Sequence, residues 1–174
     1  MMKIRTFLAL LLLAVGMLAH ADVSPGDGMP AFALTDQTGK LRSSDEFKGK
    51  WLVLYFYPKA DTPGCTEEAC SFRDDIVLLR ALGAEVVGVS TDDVAAIREF
   101  GRKHELPFTL LADPDGKTAQ KYGALVNLGV MKFAKRHSFL IDPDGRIVKR
   151  YKDVDTKDYA KTILVDLRAL NKKS

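Results

Sequence analysis

Residues 51–57, WLVLYFY, are seven consecutive apolar or aromatic side chains. Successive side chains of a strand point to opposite faces, so a run of this kind reads as a central strand buried on both sides. Residues 84–90, AEVVGVS, repeat the pattern and predict a second buried strand. Between them, residues 74–82 carry Ile76, Leu79 and Leu82 at helical spacing. The segment TDDVAAIREFGRKHEL that follows has a capping residue, an acidic start and a basic end, which predicts a second helix.

The rest of the chain continues the alternation. PFTLLAD (107–113) predicts a third strand, and DGKTAQKYGA a brief helix ending at Gly123. RHSFLID and RIVKRYK flank Asp142-Pro143-Asp144-Gly145, a strong hairpin signal. TKDYAKTILVDLRAL closes the chain as an amphipathic helix, and FALTDQTGKLRS near the front predicts a small hairpin turning at Thr38-Gly39. Trp51, Phe56 and Phe72 read as core residues. The connecting segment 123–135, GALVNLGVMKFAK, is unusually apolar, and ordinary packing is its simplest explanation. This order predicts the α/β class, a thioredoxin-like sandwich with a central mixed sheet flanked by helices.

Residues 1–21 are expected to be a signal peptide that leaves a single domain over 22–174. Lys3 and Arg5 give the positive start, FLALLLLAVGML the apolar centre, and Ala19-His20-Ala21 the cleavage pattern. That apolar run is shorter than the roughly 20 residues of a membrane span, so no stable membrane association is expected after cleavage. Export to the periplasm follows from the same reading. The formal net charge is +3, two units of which sit in the leader, and nothing in that balance suggests a nucleic-acid partner. The cluster KFAKRH (132–137) reads mainly as a solvated edge.

Cys65 and Cys70 are the only cysteines, five positions apart in DTPGCTEEAC. A zinc site would need about four ligands. His104 and His137 have no zinc-like spacing, and His20 leaves with the leader. On one regular helix the two Cα atoms would be roughly 8–9 Å apart, from ideal rise and turn, beyond the roughly 7 Å reach of a disulfide. A bond between them must unwind about a turn, which makes a poor structural staple and a usable redox switch. Thr62 is a plausible helix cap, with Pro63 in the first turn. Cys65 then falls where free backbone N–H groups and the helix dipole favour a thiolate. Cys70, farther in, is expected to be the quieter and more buried thiol.

The stretch YFYPKADTPGCTEEACSFRDD resembles the active-site signature of atypical two-cysteine peroxiredoxins of the bacterioferritin-comigratory-protein, or PrxQ, type. RHSFLIDPDG resembles a later strand of that family, and the likeness runs from GDGMPAFALTDQTGK to the C-terminal helix. It implies that Cys65 is the peroxidatic cysteine and Cys70 the resolving one. Thr62 is then the hydroxyl that holds the thiolate and positions peroxide, Arg136 the guanidinium that keeps the sulfur deprotonated, and Pro58 its shield from water. Glu68 matches a glutamate that pairs with the arginine in the wider family, and Gly64 joins it as a further substrate-contacting candidate.

The implied activity is thiol-dependent reduction of hydrogen peroxide and organic hydroperoxides without metal, haem, flavin or other cofactor. A thioredoxin-like dithiol protein is the implied reductant. A monomer is expected, since both thiols lie in one chain. The competing readings are an exported thiol–disulfide oxidoreductase, which usually carries C-x₂-C instead, and a binding module with a structural disulfide.

Overall fold

A computed structural model of the chain describes residues 23–152 and 154–172. The leader expected at 1–21 lies outside the described residues. Along the chain come β1 (Ala33–Asp36), β2 (Leu41–Ser43), a 3-10 turn (Ser44–Phe47), β3 (Trp51–Phe56), α1 (Pro63–Asp74) and α2 (Ile76–Ala81). There follow β4 (Ala84–Ser90), α3 (Val94–Lys103), β5 (Thr109–Ala112) and α4 (Lys117–Lys121). The chain ends with β6 (Leu125–Asn127), β7 (Lys132–Ala134), β8 (Ser138–Ile141), β9 (Ile147–Tyr151) and α5 (Tyr159–Asn171).

Seven strands form one sheet in the order β2-β1-β5-β4-β3-β8-β9. The pairs β3–β4 and β4–β5 are parallel, while β1, β8 and β9 join antiparallel, so the sheet is mixed as expected. The run 51–57 behaves as its composition requires. Val53, Tyr55 and Tyr57 enter one core with Phe72, Leu79, Ile97, Phe100 and Ile163, the apolar faces of α1, α2, α3 and α5. Leu52, Leu54 and Phe56 enter the other, with Phe32, Phe47, Tyr122 and Phe139. Period-two alternation thus sorts one apolar strand between two helix-covered faces.

Four details depart from the sequence reading. The helix expected to begin at Thr62-Pro63 and continue through 74–82 does start at Pro63 but breaks at Asp75, whose φ of −101° and ψ of 7° divide α1 from α2. Trp51 is only half-buried, because its indole N–H reaches outward to Asn171 Oδ1 at 2.9 Å. In the segment beginning at Thr91 the cap is Asp93, which accepts from Ala96 N at 2.8 Å. The apolar segment 123–135 forms an antiparallel hairpin of β6 and β7, with Leu128, Val130 and Met131 exposed around its tip. Strand pairing there satisfies backbone groups that the sequence pattern alone did not assign.

Gly88 shows how tightly the central strands are packed. It pairs with Tyr55 across β3–β4, and a Cβ added to it would stand 2.7 Å from the Tyr55 ring. That ring is itself fixed against Phe72 at 4.9 Å and Tyr57 at 5.6 Å between centroids. Gly88→Ala should therefore destabilise the fold by about 2 kcal/mol through overpacking, as read from the midpoint of urea unfolding. A midpoint equal to that of the unsubstituted protein would show that the ring has somewhere to go.

Candidate active site

Helix α1 begins where β3 delivers the chain at the carboxyl ends of the parallel strands, the usual position of sites in α/β sheets. Tyr57 N still donates to Val89 O at 3.0 Å, and the chain then turns through residues 58–62. Thr62 is the N-cap residue, with φ −87° and ψ 153°, and Pro63 takes the first helical position. The proline loses nothing there, because that N–H would have had no intrahelical acceptor. Cys65 is thereby placed in the first turn, at the positive end of the helix.

Cys65 is 1% exposed, and both thiols are free. Arg136, just before β8, donates from Nη2 to Cys65 Sγ at 3.4 Å. Its Nη1 pairs with Glu68 Oε2 and also reaches Gly64 O at 3.4 Å. The structure thus brings Cys65, Glu68, Gly64 and Arg136 together from positions 64–68 and 136. Gly64 serves this cluster through its size, since a Cβ there would lie 3.2 Å from Arg136 Nη2. A guanidinium against a buried sulfur supplies positive charge where the thiolate needs it.

Glu68 is fully buried, and Oε1 has no hydrogen-bond partner among the described residues. Burial pushes its carboxyl up to about 7, against the opposing pull of Arg136. Burial also works against the Arg136 charge, but Glu68 and Cys65 outweigh it and hold the guanidinium above its ordinary value. The pair therefore shares one cation between a carboxyl that gives up its proton near neutrality and a sulfur.

Two expectations about this site need correction. Thr62 occupies the cap position, but its hydroxyl makes no capping bond and does not hold the sulfur. It donates at 2.9 Å to the carbonyl of Lys59, which leaves only its oxygen lone pairs for a ligand. Cys70 is half-buried while Cys65 is the buried thiol, the reverse of the expected order. Its side chain leaves α1 about 140° away from that of Cys65, on a less covered side of the helix.

Pro58 is half-buried and lines a cavity of about 620 Å³ with Val130, Met131 and Phe133 of the β6–β7 hairpin. Cys65, Thr62 and Arg136 are not in its wall, so this space is distinct from the immediate surroundings of the sulfur. His104 pairs with Asp61 Oδ1 at 2.8 Å and His137 with Arg150. Neither histidine is used at the cysteines in these contacts.

The AhpC/TSA family matches residues 25–150. This chain belongs to the AhpC/TSA family. Among its relatives are peroxiredoxins of the bcp and Q type. A peroxiredoxin bcp of Coxiella burnetii is 44% identical over 132 residues, covering 72% of this chain and 86% of that protein. The crystal structure of the peroxidoxin BcpB from Mycobacterium tuberculosis superposes with a TM-score of 0.79 at 35% identity, covering 83% of this chain and 96% of that one. The bacterioferritin comigratory protein of Xanthomonas campestris, solved in work on its alkyl peroxide reduction, gives a TM-score of 0.74 at 28% identity, with 82% and 98% covered. The chloroplastic peroxiredoxins Q are longer, and the chain spans 56% of the rice protein.

Sequence reasoning missed the residues that hold the loop before α1. Lys59 pairs with Asp92, and Ala60 N donates to Asp92 Oδ2 at 2.7 Å. Asp61 adopts a left-handed φ of 59° and bonds Lys103 Nζ at 2.6 Å as well as His104. Three successive residues held by α3 and the turn before it leave no signal in local pattern; two adjacent aspartates after a buried strand were the nearest hint.

The Glu68 carboxyl makes a prediction with a definite sign. Its pKa is raised on folding, so the folded state binds more protons than the unfolded state between about pH 4.5 and 7. Glu68 should therefore lower the unfolding free energy as pH rises through that window, by on the order of 3 kcal/mol in all. In Glu68→Gln this part of the slope should vanish, as measured by denaturant unfolding at several pH values. An unchanged slope would place the titration elsewhere.

Proposed function

We propose that this chain is a thiol-dependent peroxidase whose reacting atom is Cys65 Sγ. The observation that carries the reading is the Arg136 guanidinium 3.4 Å from that sulfur, at the start of a helix that also holds Cys70. The Cys65 thiolate attacks the terminal oxygen of a peroxide. The S–O bond forms as the O–O bond breaks, two electrons pass from sulfur to the peroxide, and the leaving hydroxide or alkoxide takes up a proton. Arg136 and the first-turn N–H groups face the charge that shifts in this step. The Thr62 hydroxyl, with its proton committed to Lys59 O, is left to accept a hydrogen bond from the peroxide.

The product is a sulfenic acid, which a thiol converts to a disulfide with loss of water. Cys70 is the thiol in reach, but only after α1 opens, because ideal helix geometry keeps the Cα atoms roughly 8–9 Å apart. An external dithiol protein then returns two electrons by thiol–disulfide exchange. A thioredoxin-like protein is the proposed reductant, the periplasm the proposed location and a monomer the proposed working form. Organic hydroperoxides join hydrogen peroxide as proposed substrates, supported by the alkyl peroxide reduction stated for the Xanthomonas relative.

Peroxide consumption with a dithiol protein as donor tests the reading. Cys65→Ser should be inactive. Cys70→Ser should form a sulfenic acid on Cys65, trapped by a dimedone-type reagent, and then fail to turn over normally. Peroxide consumption by Cys65→Ser at the rate of the unsubstituted protein would overturn the assignment.

A further inference from the structure

The turn between β4 and α3 contains a buried carboxylate that the chemistry above does not use. Asp92 has a side chain only 2% exposed. It is not the cap of α3, a task performed by Asp93 through Ala96 N. Its side-chain partners are Lys59 and Ala60 of the loop before α1, with Ser90 Oγ donating to Oδ2 at 3.1 Å. A carboxylate withdrawn from water and turned toward another segment has a structural cost, so what it holds is informative.

What it holds is one peptide unit. The Ala60 N–H that donates to Asp92 Oδ2 at 2.7 Å and the Lys59 carbonyl that accepts from Thr62 Oγ1 at 2.9 Å belong to the same planar group. In a trans peptide these two point in opposite directions, with the carboxylate on one side and the threonine hydroxyl on the other. We propose that Asp92 is a positioning residue for peroxide reduction, acting across the Lys59–Ala60 peptide to fix the direction of the Thr62 hydroxyl. The Oδ2 acceptor fixes the plane of that peptide and so the direction in which its carbonyl accepts, and hydrogen bonds in series reinforce one another. Thr62 then keeps its proton on Lys59 O, and its lone pairs stay aimed outward for the peroxide O–H. The next residue, Asp61, is in the left-handed region at φ 59° and tied to α3, so the peptide is held from both sides.

This inference rests on the peroxidase reading, which Cys65→Ser tests by itself. Its own test is a cycle read as the single-turnover rate of Cys65 oxidation by hydrogen peroxide in the reduced protein. Asp92→Leu removes the acceptor at similar volume and should slow that rate roughly tenfold to a hundredfold, the scale of a small misplacement. Asp92→Asn keeps an oxygen for Ala60 N–H and should stay within about threefold of the unsubstituted rate. In a Thr62→Val background Asp92→Leu should have no further effect, because the group it orients is gone. Asp92→Ala is carried through the same cycle, so that a folding defect in one variant leaves the other readable. Losses that multiply in the double variant, an Asp92→Asn as slow as Asp92→Leu, or an Asp92→Leu or Thr62→Val at the unsubstituted rate would each overturn the proposal while leaving Cys65→Ser inactive.

Discussion

An unbroken α1 keeps the two sulfurs of this protein from meeting. The distance follows from helix rise and twist alone, since five residues along a regular helix exceed the span of a disulfide by more than an ångström. The reduced form is therefore held as a dithiol by backbone hydrogen bonding. Side chains determine how far an opening can spread. Glu68 bonds Arg136 and Thr156 bonds Glu67 in the half that must open. Farther on, Ala160 N donates to Ser71 Oγ at 3.1 Å, Arg73 reaches His104 O at 3.0 Å, and the Phe72 ring packs against Tyr55 and Tyr159. The second half of α1 is thus tied to α5, to the end of α3 and to the sheet, while the side-chain hydrogen bonds that reach the first half come from Arg136 and the Thr156 hydroxyl.

That ion pair also serves the sulfur. Arg136 touches Cys65 and Glu68 with the two ends of one guanidinium. The arrangement joins reactivity to helix integrity, because the cation beside the sulfur also binds a helix carboxylate one turn later. Burial raises Glu68 to about 7, so the strength of that tie changes near neutral pH. The fork shape of arginine makes the double contact possible; a lysine at the same place would offer a single point of charge.

Much of this was legible before any coordinates. The run 51–57 demanded a strand covered on both faces, and alternation sorts its residues into two cores as its composition implied. The cysteine spacing forecast the need to unwind, and the resemblance around Pro58, Thr62, Cys65 and Arg136 placed the site. Other parts depended on contacts distant in sequence. Which cysteine is buried depends on the cover that Arg136 and the sheet bring to the start of α1, so Cys65 and Cys70 came out in reversed order. The Thr62 hydroxyl turns to Lys59 O because the chain before it folds back, and that fold depends on Asp92, thirty residues away. The hairpin of β6 and β7 was hidden because each strand has only three residues.

The most direct test of the helix constraint is amide hydrogen exchange, compared between the dithiol form and a form shown by mass to hold the Cys65–Cys70 disulfide. In the dithiol form the amides of residues 66–70 should be protected. In the disulfide form that protection should be lost, while Phe72, Arg73 and Asp74 keep theirs. Equal protection at 66–70 in both forms would mean that the bond closes within an intact α1, contrary to the geometry on which this account stands.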